Sequence, residues 1–123
     1  MVKRPPAFRL RPPLALSEND VERACLDLLR VKGYWAARQH VGAFRTPGGD
    51  WVRIGEKGVP DYVVLHGRHR GFLLEVKRQS GGVLSPEQIF KIQTLTLGYR
   101  LRVAVVTSSK ELADWLQDHE QSP

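Results

Sequence analysis

Cysteine, acidic residues and long apolar runs are all scarce in this chain of 123 residues, and each scarcity excludes something. The one cysteine, Cys25, rules out an intramolecular disulfide and suits a reducing compartment. With only scattered histidines beside it (His40, His66, His69, His119), no zinc-ligand spacing can be assembled. No glycine-rich loop runs into Lys-Ser/Thr, so NTP hydrolysis is not expected. Ser108 and Ser109 lack a histidine and an acid nearby in sequence and read as helix caps rather than nucleophiles. No apolar run approaches a membrane span. The start, Met-Val-Lys-Arg-Pro-Pro, lacks the apolar stretch of a signal peptide, so a cytoplasmic protein is expected.

Acids are scarcest in the middle. From Leu28 to Lys110, fourteen Lys or Arg face five acids: Asp50, Glu56, Asp61, Glu75 and Glu87. After Lys110 the balance reverses, with Glu111, Asp114, Asp118 and Glu120. The formal charge of +6 suits a polyanionic partner, although a basic, well-solvated protein has the same composition. The length is that of one domain. Residues 1–16, with Lys3, Arg4, Arg9, Arg11 and four prolines, read as an extended basic arm. Residues 17–119 then form the domain and 120–123 a tail.

Within the domain, Ser17 and Asp20 resemble a capping box. Val21, Ala24, Cys25, Leu28 and Leu29 follow at the spacing of one buried helix face, and Gly33 ends that helix. Residues 34–44 read as a strand, 47–50 as a turn and 51–54 as a return strand. Two β-prone runs, Val63-Val64-Leu65 and Phe72-Leu73-Leu74, flank the polar turn 67–71 and signal a hairpin centred near Arg68 or His69. Ser85-Pro86-Glu87-Gln88 opens a second helix reaching Gly98, with serine at the cap, proline at the first helical position and glutamine at the third. Residues 102–107 read as a buried strand, and Leu112, Trp115 and Leu116 mark a last helix. The expected fold is α/β, a mixed sheet flanked by helices in the order α-β-β-β-β-α-β-α, its meander antiparallel and its last strand free to run parallel.

The hairpin also carries the chemistry. An antiparallel register centred on its turn sets Asp61 across from Glu75 or Lys77, and alternation puts Leu73, Glu75 and Lys77 on one face. Two carboxylates held together repel unless a cation joins them, and a hard divalent ion takes oxygen ligands. Lys77 would lie where it stabilises charge developing on a phosphate. A solvated strand-edge salt bridge has the same acid-x-Lys pattern. Pro60 stiffens the approach to Asp61, while Gly58 reads equally as an ordinary turn glycine or as a point of close backbone approach to phosphate.

The pattern Asp61…Glu75-x-Lys77 resembles that of the PD-(D/E)xK nuclease superfamily. With residues 51–61, Glu75-Val76-Lys77-Arg78 and the run Gly82-Val83-Leu84-Ser85-Pro86-Glu87-Gln88, the chain is similar to the VRR-NUC branch from about Ser17 to Trp115. The resemblance implies a restriction-endonuclease-like core and a Mg²⁺-dependent endonuclease, Mn²⁺ substituting. It implies branched DNA as substrate and a homodimer resembling Holliday-junction resolvases. Flap, end or restriction-type cleavage and a non-catalytic DNA-binding module are the alternatives. It makes Asp61, Glu75 and the Val76 carbonyl metal ligands and Lys77 catalytic. Glu22 is the first-helix acid expected to complete the metal site, with Glu18 its competitor. Gln88 becomes an active-site residue, in competition with its capping role. Arg53, Lys57, Gly58 and Arg78 are expected along the DNA. Trp35, Trp51 or the N-terminal arm is expected to supply the dimer interface.

Overall fold

The computed structural model describes residues 16–40 and 42–122, without the side chains of Phe44, Arg53 and Ile54. The basic arm therefore lies outside the described residues, apart from Leu16. Helix α1 (Glu18–Val31) begins at the expected capping box: Ser17 Oγ accepts from the Asp20 amide at 3.2 Å, and Asp20 Oδ2 accepts from the Ser17 amide at 3.3 Å. Val21, Cys25 and Leu29 are its buried stripe. The helix stops before Gly33, whose φ of +84° favours glycine.

Six strands follow in two sheets: β1 (Trp35–Arg38), β2 (Gly42–Arg45), β3 (Trp51–Ile54), β4 (Tyr62–Leu65), β5 (Phe72–Val76) and β6 (Val103–Val106). The main sheet has the order β1-β4-β5-β6, antiparallel except for the parallel β5–β6 pair, while β2 and β3 form a separate two-stranded sheet. Five strands thus precede the second helix, where four were expected. The expected single strand over 34–44 is two strands in different sheets. The break is a change of partner. β1 pairs down β4 as far as Gln39, whose amide donates to the Asp61 carbonyl at 2.7 Å. The chain leaves the sheet there and β2 pairs with β3 across the 46–50 turn.

Helix α2 (Pro86–Gln93) continues as a π-helical turn, Thr94–Gly98, and the 86–102 segment is the crossover that allows β6 to run parallel. Helix α3 (Ser109–Gln121), capped by Ser108, runs past the boundary drawn at residue 120. Glu120 accepts from the Tyr34 hydroxyl at 2.8 Å, so it belongs to the domain rather than to a tail. His119, near the acidic end, is buried: its Nε2 lies 2.6 Å from the Arg70 carbonyl and its ring stacks on Trp115.

The core lies on one side of the main sheet. Tyr62, Val64, Phe72, Leu74, Val76, Ala104 and Val106 are buried there against Val21, Cys25 and Leu29 of α1 and Leu112 and Leu116 of α3. Helix α2 lies on the other side. Of the expected architecture, the mixed sheet, the antiparallel hairpin and the parallel last strand are present. No helix among the described residues is long and apolar enough to cross a membrane.

Candidate active site

The register of the β4–β5 hairpin decides the site. Tyr62 faces Leu74 and Val64 faces Phe72, which centres the loop on Arg68 and carries Asp61 opposite Glu75. The two acids lock the hairpin end reciprocally. Asp61 N–H donates to Glu75 Oε2 at 3.0 Å, and Val76 N–H donates to Asp61 Oδ2 at 3.1 Å. Alternation along β5 turns Leu74 and Val76 into the core and Glu75 and Lys77 to the opposite face. Lys77 Nζ then lies 3.2 Å from Glu75 Oε1.

Glu75 is only 1 % exposed, an uncommon place for a carboxylate. Its carboxyl is pushed up to about 7, first by burial and then by the Asp61 charge, with Lys77 pulling the other way. Every polar contact at this point is therefore made to a group that resists carrying its charge.

Gln88 answers the question of its two roles by dividing its amide. Oε1 accepts from the Ser85 amide at 2.9 Å, closing the capping box in which Ser85 Oγ accepts from the Gln88 amide at 3.2 Å. That acceptor role turns the other end of the amide, and Nε2 donates to Glu75 Oε1 at 2.6 Å. One side chain serves both the cap and the carboxylate.

Helix α2 is held over Glu75 by the loop before β4. Lys91 Nζ pairs with Glu56 Oε2 at 2.8 Å, and Lys57 Nζ pairs with Glu87 Oε1 at 3.2 Å. Lys91 keeps the Glu56 carboxyl below its ordinary range. Glu87 is likewise lowered, by a backbone N–H first and Lys57 second. Gly58, at φ +86°, presses on the helix: a Cβ there would lie 2.7 Å from the Glu87 carbonyl oxygen. The close backbone approach at Gly58 is thus made to α2. Lys57 and Gly58, both expected along DNA, are here the clamp for the helix that carries Gln88.

The structure does not gather the remaining expected residues. Glu22 accepts from Arg38 Nη1 at 2.6 Å and from the Tyr62 hydroxyl, on the core side of β4, whereas Asp61 and Glu75 meet across the hairpin on the other side. Among the described residues, no three His, Cys, Asp or Glu side chains form a group that could hold a metal ion. Glu22 is engaged by Arg38 and Tyr62, neither of which carried a sequence signal. Arg78 is exposed and folds back to the Gly81 carbonyl at 3.3 Å. The Arg53 side chain lies outside the described residues. Val76 ends β5 beside the acid pair, with its amide engaged by Asp61.

The donor set fits a hard divalent ion in type and charge: two adjacent carboxylates, one of them buried and hard to ionise alone, in the number that Mg²⁺ commonly takes from protein. A divalent ion there would favour the ionised form of both acids. The chain matches no family model, no curated protein and no solved structure.

Proposed function

We propose that this chain is a divalent-metal-dependent DNA endonuclease with a restriction-endonuclease-like core, acting in the cytoplasm on branched DNA as a homodimer. One observation carries the reading: a buried carboxylate, Glu75, paired with Asp61 and touched at the same oxygen by Lys77 and Gln88. An ordinary surface salt bridge needs neither the burial nor the second acid. The helix, antiparallel strands, crossover and parallel strand support the core assignment, and the basic central composition supports a polyanionic substrate.

Asp61 and Glu75 would hold the ion, with the Val76 carbonyl at the same strand end. When bound, the ion supplies Lewis-acid stabilisation of phosphoryl charge and lowers the pKa of a bound water. Lys77 places its positive charge beside the scissile phosphate and steadies the charge that builds up as water attacks and the leaving oxygen departs. Gln88 fixes the Glu75 carboxylate in one orientation, and the loop 56–58 fixes Gln88. By the resemblance, the products carry 5′-phosphate and 3′-hydroxyl. Two symmetric cuts in a four-way junction require two such sites, which a two-fold dimer provides.

The test uses labelled four-way junction, flap and linear duplex with Mg²⁺, with Mn²⁺ or with EDTA. Wild type cleaves only with metal and prefers the junction. Asp61→Asn and Lys77→Ala lower the rate by about 10²–10³-fold, the scale of losing one charge-stabilising group. Equal cleavage by either variant overturns the assignment. Binding without cleavage under both metals moves the reading to a DNA-binding module.

A further inference from the structure

Among the described residues, the β2–β3 ribbon has no core of its own. Ala43, Arg45, Trp51 and Val52 are all exposed, and the two strands pack chiefly on each other. Its turn is closed from within: the Thr46 amide donates to the Asp50 carbonyl at 2.8 Å, and the Asp50 amide to Thr46 Oγ1 at 3.2 Å. A two-stranded ribbon is marginal by itself, so its roots must hold it. One root is Gln39, whose amide is bound to the Asp61 carbonyl. The other runs into Glu56 and Lys57, bound to Lys91 and Glu87 of α2. Both roots therefore spring from the end of the main sheet where Asp61 meets Glu75.

Register sets Arg45 directly across from Trp51, beside the turn. Residues so paired share a face, and the guanidinium carbon of Arg45 lies 5.4 Å from the centre of the Trp51 ring. Trp51 is still 68 % exposed, so its ring keeps open surface although Arg45 lies over it. By composition the ribbon carries Arg45 and Arg53 against one acid, Asp50.

We propose that the Arg45–Trp51 pair holds an unstacked base of the DNA, with its phosphate, beside the cut. The chemistry selects that occupant. An indole face stacks on a base only where the base has left its own stack, and the neighbouring guanidinium supplies charge for the adjoining phosphate. A matched duplex offers base edges in its grooves and no free ring face. A protein partner of standard size needs far more apolar area than Trp51 and Val52 present. Trp51 stands three residues before Ile54 at the root, about 10 Å along the strand, which is the length of about three stacked nucleotides.

Only the position beside the cut rests on the nuclease reading; recognition of the unstacked base rests on the ribbon. It would give that reading its selectivity, because branch points, flaps and bulges present such a base and intact duplex does not.

The test compares a labelled duplex carrying one bulged 2-aminopurine with its fully paired counterpart, titrated in EDTA so that nothing is cut. Wild type binds the bulged duplex at least about fivefold more tightly, the low end of one base–aromatic stack, and quenches the 2-aminopurine. Trp51→Ala loses both the preference and the quench. Its affinity for paired duplex, its sedimentation and its circular dichroism stay as they were, because the ring is exposed. Trp51→Phe keeps most of the preference, Arg45→Ala lowers it, and Trp35→Ala leaves it unchanged. A wild type that binds both duplexes alike, or neither, overturns the proposal. So does a preference that survives Trp51→Ala, or one that Trp35→Ala removes instead. A change in sedimentation with Trp51→Ala overturns it too, by making the ribbon a protein contact. Selective binding without cleavage under Mg²⁺ and Mn²⁺ removes the nuclease reading and leaves the ribbon standing; metal-dependent cleavage with binding indifferent to Trp51 does the reverse.

Discussion

The two faces of the main sheet are built on opposite principles. On the α1–α3 side every strand residue from Tyr62 to Val106 that points inward is buried and apolar. On the α2 side Trp35, Leu65 and Val105 remain exposed, yet the same face buries Glu75 completely. One face is closed by hydrophobic burial, which needs no direction. The other is closed by hydrogen bonds and ion pairs with fixed partners: Asp61, Lys77 and Gln88 at the carboxylate, Glu56 and Lys57 at the helix above it. The first face supplies the free energy of folding and the second spends part of it holding a charge out of water.

That contrast can be broken most directly at adjacent residues of β5. Leu74→Ala, in the core, should cost about 3–5 kcal/mol, whereas Leu73→Ala, half-buried on the other face, should cost about 1 kcal/mol. Urea unfolding of the two variants measures the difference directly, and equal losses would mean that α2 closes its face as tightly as α1 and α3 close theirs.

Gly58→Ala probes the clamp instead of the core. A left-handed φ and a Cβ at 2.7 Å from the Glu87 carbonyl together predict a loss of about 2–3 kcal/mol, with α2 shifted away from Glu75. Hydrogen exchange of the Gln88 and Ile89 amides should accelerate more than that of β5. Uniform acceleration would show that the loop supports the whole domain rather than the helix.

The smallest effect is also the one most specific to the second face. An acid whose carboxyl sits above its ordinary 4.5 binds its proton more tightly folded than unfolded. Glu75 therefore contributes its stability below about pH 4.5 and loses it as pH rises through about 7. In EDTA, wild type should lose stability across that window. Glu75→Gln should flatten the slope and gain about 1–2 kcal/mol at pH 8, while abolishing any cleavage. An unchanged slope in the variant would assign the pH dependence to another group.

Much of this was legible from spacing alone. The Asp61–Glu75 pairing follows from a hairpin whose apolar runs are symmetric about Arg68, since register in a two-faced strand is fixed by its hydrophobic pattern. Both capping boxes, at Ser17 and at Ser85, were readable because a cap is a contact between residues three apart. The split after Gln39 was not, because it depends on β1 pairing with β4 and β2 with β3, partners that neither segment shows by itself. The partners of Glu22 were hidden for a related reason. Helix periodicity put it beside the buried stripe, but Arg38 and Tyr62 come from other elements and only the packed fold brings them to it.

The sequence by itself determined what acts over a few residues: the helix stripes, the caps, the turns, and a hairpin that sets two acids and a lysine at one end. Tertiary structure decided which face those acids share, that Gln88 reaches Glu75 while still capping its helix, and that Gly58, Glu56 and Lys57 serve α2. Local periodicities are written along the chain, whereas the burial that lifts the Glu75 carboxyl exists only once α2 has closed over β5.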